Sequence, residues 1–464
     1  MTLKNQLQLL LPMMTCLLMS TVPSQTHADL VPEIDVTLGS LSHSLPLPYV
    51  GVNIDAASLY YKINLTHPYL ITAAQKLAPG ILRVGGGMAD SLLFNATASD
   101  DNGSSTNILT TRAWDDLVAF ARQTGLQLLF DLNALGLRGA NGAWDSTNAE
   151  QLLHYIKSHN QTDALYGFEL GNEIFPTEVL RIVGPDVCCG FDYLEQFLNN
   201  VSAGTLDIVT VHSYPMHGPK ANQSDDCNLD AFIDPAVLDR SDAILFEYQQ
   251  SHHRTRPDLP LILGETATAG DGGCDNLSNR FVASFFWLDQ LGRLATNQWQ
   301  GVFRQDLVGW SGSADTSHYA LLGPPGWIGN TSAPPTPHPD FFVTRLWNEL
   351  VGTHAIALNR TNLEGLRVYA FCHRTDAGRA SVAFVNLNTF PLMLHFVDYE
   401  MGHEALEYTL QSDHLQDDHV RLNDALLTDP TAALPGRPMG NFDGKYTAQP
   451  LTLGFVVIHA PVCA

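Results

Sequence analysis

Glu173 and Glu265 each close an apolar run, "LYGFELGNE" (165–173) and "LPLILGE" (259–265). A carboxylate at the end of a buried strand is costly unless it is paired or hydrogen-bonded. Two such carboxylates in one site suit glycosidic bond cleavage. One carboxylic acid protonates the leaving oxygen, and a second carboxylate works on the other face of the sugar. A lone glutamate at a strand end is more often a solvated rim residue or a helix cap. The pair therefore carries weight only if one scaffold brings both together.

The required scaffold is legible in the spacing of apolar runs. They recur as "YVGVNID" (49–55), "ILRVGGG" (81–87), "LQLLFDLNA" (126–134), "LYGFELGNE" (165–173), "VLRIVGPD" (179–186), "LDIVTVHSY" (206–214), "LPLILGE" (259–265) and "GVFRQDLVGW" (301–310). Segments with helical periodicity lie between them, such as "STNAEQLLHYIKSH" behind Ser146 as N-cap and "NRFVASFFWLDQLGRL". Eight strands alternating with helices read as a (β/α)₈ TIM barrel, an α/β fold whose active sites lie at the carboxyl ends of the strands. Asp55, Asn133, Glu173, His212, Tyr214 and Glu265 all fall there. His212 and Tyr214 are two apart on one strand and share a face. Tyr214 is suited to donate a hydrogen bond to Glu265 and hold it ionised. Asn172 and Glu173 reach one site only if their strand ends or bulges. Glu169, one layer deeper than Glu173, is expected to pair with Arg83.

One crossover is too short. Only residues 174–178 separate Glu173 from the next apolar run, whereas a parallel crossover takes a dozen or more residues with a helix. The fourth helix is expected to be missing. After "DFFVTRLWNELVG" (340–352), short alternating segments such as "LRVYAFCHR", "ASVAFVNLN" and "LTLGFVVIHA" read as a β-sandwich. The early "LVPEIDVTLGS" alternates too and is expected to join it. The divisions are a signal peptide over 1–28, the joining strand over 29–46, the barrel over 47–352 and the sandwich over 353–464.

Composition narrows the partners. The net charge of −24 disfavours nucleic acid and acidic membranes. Protonating all 18 histidines would bring −24 to −6, which suits an acidic compartment. Lys4, the apolar stretch from Leu9 to Met19 and small residues at Thr26 and Ala28 form a secretory leader too short to span a bilayer. Sequons at Asn64, Asn95, Asn102, Asn160, Asn200, Asn222, Asn276, Asn330 and Asn359 agree with passage through a secretory pathway. Six cysteines follow the leader: Cys188, Cys189, Cys227, Cys274, Cys372 and Cys463. In a secreted chain they suggest three disulfides, and zinc spacing is absent. No metal or cofactor is expected, and the protein is expected to be a monomer.

Longer motifs carry a resemblance. "FELGNE" (168–173), "LILGET" (261–266), "FVASFFWLDQLG" (281–292) and "VFRQDLVG" (302–309) resemble the heparanase family, glycoside hydrolase family 79. So do "IDA" (54–56), "LRVGGGMADSLLF" (82–94), "DLNAL" (131–135) and "LWNELVGTHA" (346–355). The resemblance implies a retaining β-glucuronidase with Glu173 as acid/base and Glu265 as nucleophile. It also implies a sugar site lined by Asp55, Asn172, Gln305, Tyr319 and the backbone at Gly272 and Gly273, and a Cys372–Cys463 disulfide in the sandwich. The substrate would be an oligo- or polysaccharide containing glucuronic acid.

The chain also departs from that family. The basic residues that members cutting heparan sulfate place in the cleft are missing, so a densely sulfated polymer is not expected. The excisable linker is reduced to "NATASDDNGSSTNI" (95–108), so activity as a single chain is expected. The family's cysteine in the third helix is absent, and Cys188 and Cys189 are expected to bond to Cys227 and Cys274 in either order. Two other readings are an inactive carbohydrate-binding relative and a related barrel glycosidase acting on another pyranoside.

Overall fold

The computed structural model describes residues 31–98, 107–134, 136–140, 142–169, 181–188, 191–219, 226–310, 316–324, 327–329 and 332–464. Each of the eight apolar runs forms a strand, and the strands close into one parallel barrel. In chain order they are Val50–Asp55, Gly80–Gly85, Leu126–Asp131, Leu165–Glu169, Arg181–Cys188, Ile208–His212, Leu261–Thr266 and Val302–Arg304. The fifth strand pairs with the fourth and the sixth, so the short crossover does not cost the barrel a strand. The connection itself falls in 170–180, outside the described residues, as do Asn172, Glu173 and residues 1–28, expected to be a leader.

Side chains pointing inward form two layers. Ile81, Leu129, Val183, Ile208, Ile262 and Phe303 build an apolar floor, all nearly inaccessible to solvent. Charged and polar groups follow toward the carboxyl ends. Helices Thr111–Thr124 and Thr147–Ser158 cover the outside of strands two to four with apolar stripes. Ser146 occupies the N-cap position of the second helix, but its hydroxyl donates to Glu150, and Asp145 accepts from the Thr147 N–H instead.

Beyond the barrel lies a single sheet of eleven strands that curls over its own core. Glu33–Ser44 joins it, antiparallel to Val351–Arg360 and parallel to Leu392–Phe396. Val36, Val368, Val382, Phe384, Leu394 and Phe396 fill the enclosed side. The other side carries Phe371, Ala383, Val385 and Phe455 into the barrel's core. Helix Ala283–Thr296 lies between the two, which explains why its sequence is apolar on every side. Two of its polar groups find partners: Asp289 accepts from Tyr369 Oη at 2.6 Å, and Trp287 Nε1 donates to Thr344 at 2.8 Å.

Cys372 and Cys463 form a disulfide within the sheet region. The expected exchange of Cys188 and Cys189 with Cys227 and Cys274 does not occur. Cys227 bonds to Cys274, because the loops after strands six and seven run side by side, bridged at Met216 and Ala269. Cys188 is the last residue of strand five, and Cys189 lies outside the described residues. Among the described residues no helix is long and apolar enough to cross a membrane.

Candidate active site

Arg83 organises the mouth of the barrel. Two residues past Ile81 on strand two, it is fully buried, and its guanidinium fork reaches three carboxylates. Nε binds Glu169 at 2.6 Å, Nη1 binds Glu265 at 3.1 Å and Nη2 binds Asp186. The "LRVGGG" motif follows from this crowding. A Cβ on Gly85 would stand 2.6 Å from the Arg83 guanidinium carbon, and Gly86 adopts a φ of +98° beside Asp55.

Glu265 sits at the tip of strand seven. Pairing with strand six slips between Leu263 and Glu265, which frees the glutamate from strict alternation. Tyr214 Oη donates to its Oε1 at 2.6 Å, Arg83 holds its Oε2, and His212 Nδ1 stands 3.9 Å from the same oxygen. His212 Nε2 contacts Asp186. Asp55 ends strand one, where Gln305 Nε2 donates to it at 3.1 Å and Ala57 N–H at 2.8 Å. Asp55 thus caps the short helix Ala56–Tyr60 as well as facing the mouth. The rings of Tyr214 and Tyr319 stack at 6.4 Å, and Gly273 packs against Tyr319. The Cys227–Cys274 disulfide anchors the loop that carries Gly272 and Gly273.

The structure therefore brings together Asp55, His212, Tyr214, Glu265, Gly272, Gly273, Gln305 and Tyr319. Asn133 is a loop residue: it donates to the Leu92 carbonyl and accepts from the Gly136 N–H. Two carboxylates, Asp131 and Asp186, were not singled out by the sequence. Asp131 ends strand three beside Glu169, and the strand-end rule that selects Glu265 would have selected it too. Asp186 needs a separate explanation, given below.

Charge balance follows from the geometry. Two cations, Arg83 and His212, face four carboxyl groups at Asp131, Glu169, Asp186 and Glu265. Burial pushes Asp131 well above the usual carboxylate range, with Asp186 and Glu169 adding to it. Burial also pushes Glu169 up to about 8, against the pull of Arg83. For Asp186, Arg83 and His212 overcome the burial penalty and hold its carboxyl well below the usual range. The upward shifts of Asp131 and Glu169 reduce the negative charge the cluster must bury. Oxygens of Asp131, Glu169 and Asp186 lie close enough to chelate a metal ion, but the cation they surround is the Arg83 guanidinium. Asp55 is raised to about 7, chiefly by burial and then by Glu265, against its Ala57 hydrogen bond.

A closed parallel barrel joined to a β-sheet region, with carboxylates at the strand ends, is a scaffold able to carry glycoside hydrolysis. The fold resembles the family 51 α-L-arabinofuranosidase of Thermotoga petrophila, with a TM-score of 0.63 at 11% identity, over 92% of this chain and 100% of that one. It also resembles a 4-O-α-L-rhamnosyl-β-D-glucuronidase of Fusarium oxysporum, with a TM-score of 0.60 at 14% identity, over 91% and 100% of the two chains. Residues 49–184 and 175–292 match the N-terminal domain of glycosyl hydrolase family 79. The chain belongs to that family and is a glycoside hydrolase. The two matched stretches overlap at 175–184, which takes in most of the short crossover at 174–178. A hyaluronoglucuronidase of Hirudo nipponia is 27% identical over 92% of this chain and 98% of its own length. Heparanase of Gallus gallus is 27% identical over 79% and 80% of the two chains. Baicalin-beta-D-glucuronidase of Scutellaria baicalensis is 22% identical over 87% and 85%.

Proposed function

We propose that this protein is a secreted, retaining hydrolase of β-linked glucuronosides, with Glu265 as nucleophile and Glu173 as acid/base. The carrying observation is the environment of Glu265. A strand-tip carboxylate that accepts from Tyr214 on one oxygen and Arg83 on the other is held in one orientation, as attack on an anomeric carbon requires. Glu173 would protonate the departing oxygen while Glu265 bonds to the sugar. Glu173 would then take a proton from the water that releases it. This double displacement needs the two carboxyl groups roughly 5–5.5 Å apart. Among the described residues, two carboxyl groups of the Arg83 cluster do not suit the acid role. Asp186 is ionised between two cations, and Glu169 is completely buried below the mouth.

The glucuronoside reading rests on family membership and on relatives named for hyaluronan, heparan and baicalin glucuronide cleavage. Asp55, Asn172, Gln305, Tyr319 and the backbone of Gly272 and Gly273 would line the sugar site. The charge of −24 favours chains with little sulfate. The leader, the sequons and the two disulfides favour an extracellular or acidic lysosome-like setting for a single-chain monomer.

Hydrolysis of a chromogenic β-glucuronide tests the reading. Wild type should turn over, and Glu173→Gln and Glu265→Gln should each lose at least about 10³-fold in kcat. Proton NMR of the first-formed sugar should show the β-anomer. Folded wild-type protein without turnover on any glucuronide would refute the assignment, and an α-anomer would refute retention.

A further inference from the structure

One carboxylate at the mouth has no part in the reaction just outlined. Asp186 sits near the end of strand five on irregular backbone. Its φ is +58°, a left-handed conformation that aspartate and asparagine tolerate better than most residues. Pairing with strand six slips between Pro185 and Val187. Val183 belongs to the apolar floor, so regular alternation would send Pro185 inward and Asp186 outward. The bulge reverses that, and Thr210 Oγ1 anchors it by accepting the Asp186 N–H at 3.2 Å. The carboxylate so delivered meets Arg83 Nη2 and His212 Nε2.

We propose that Asp186 is a positioning residue for the nucleophile: by bridging Arg83 and His212 it keeps both cations turned toward Glu265 Oε2. The inference rests on the assignment of Glu265 given above. Arg83 spends all three of its directions on carboxylates, so removing one anchor frees the plane that presents Nη1 to Glu265. His212 Nδ1, at 3.9 Å, is beyond hydrogen-bond range of Glu265 yet near enough for its charge to count. The imidazole is faced by Asp186 from strand five, Glu265 from strand seven, Arg83 from strand two and Glu169 from strand four. Burial alone would lower its pKa, but Asp186 and then Glu265 outweigh burial and raise it. Asp186→Asn keeps the shape and the backbone tolerance and removes only the charge.

The test follows the His212 ring by NMR in wild type and Asp186→Asn, with His212→Gln to assign the signal. Thermal unfolding confirms that each variant is folded. Without the Asp186 charge, the His212 titration midpoint should fall by at least about one pH unit. On a chromogenic β-glucuronide, kcat should fall about 10- to 100-fold with KM changed less than about 2-fold. The double variant should lose no more than the worse single variant, because the two residues act as one device. An unmoved midpoint, or a loss equal at every pH and additive in the double variant, would overturn the proposal. The titration needs no turnover, so with a wild type inactive on glucuronides the functional reading fails while the His212 midpoint still decides this one.

Discussion

Ile81, Leu129, Val183, Ile208 and Ile262 close the lower half of the barrel, and a few residues further along the same strands stand Arg83, Asp131, Asp186, His212 and Glu265. The lower layer keeps the two-residue period of a strand, with one slip in pairing, between Leu128 and Leu129 where strand three meets strand four. The upper layer keeps that period at Arg83, Asp131 and His212 and abandons it at Asp186 and Glu265, where pairing slips. The contrast separates two demands. Filling a barrel takes only regular alternation of apolar residues. Aiming several carboxylates at one point takes departures from regularity, each held by a named hydrogen bond or ion pair.

Arg83→Met strikes the upper layer hardest. It leaves Glu169 buried without its hydrogen-bond donor and Asp186 with His212 alone, which should cost about 3–5 kcal/mol of stability in denaturant titration and abolish activity. A variant with normal stability would break the contrast, since the charged layer would then owe nothing to its central cation.

A second effect separates the layers by pH. Asp55 titrates at about 7 when folded, above the value it takes in an unfolded chain. The unfolded chain therefore gives up this proton first as pH rises. The associated stability is complete below about pH 4 and is lost as pH climbs through 7, by at most about 4 kcal/mol. Thermal unfolding of wild type across this window should show a decline that Asp55→Asn reduces without abolishing, because Asp131 and Glu169, raised in the same direction, contribute to it. An equal decline in both would assign the pH dependence elsewhere.

The floor should show the smallest and opposite behaviour. Val183→Ala should cost about 2 kcal/mol through lost burial and a small cavity. Its kcat/KM should stay within about 3-fold of wild type, since Asp186 is held by groups above the floor. A large fall in kcat/KM at unchanged pH dependence would show that the floor also aims the mouth.

Regular periodicity and strand-end position were enough to find the eight strands and the Glu169–Arg83 pair in the sequence. The same cues place Tyr214 beside Glu265, now seen at 2.6 Å. Asp186 escaped because its direction depends on a left-handed residue inside a strand, and "GPDV" looks regular in one dimension. The Cys227–Cys274 pairing escaped for a different reason: which loops touch is a property of the closed barrel, not of spacing along the chain. Asn133 was picked out by its place after a strand, and its side chain ties its own loop to Leu92 in the segment after strand two.

The strand Glu33–Ser44 has a consequence for how the molecule is made. Val36 pairs with Arg360, so the first element of the sheet leaves the ribosome long before its partner exists. In between, the entire barrel is synthesised and must fold while that alternating strand waits with both edges open. The barrel is in effect an insertion within the sheet, and the sheet cannot be detached as a separate module. A chain ended after Leu350 would leave this strand without neighbours and expose the apolar face of helix Ala283–Thr296. Synthesis of the last hundred residues is therefore the step that converts a vulnerable nascent chain into a closed particle.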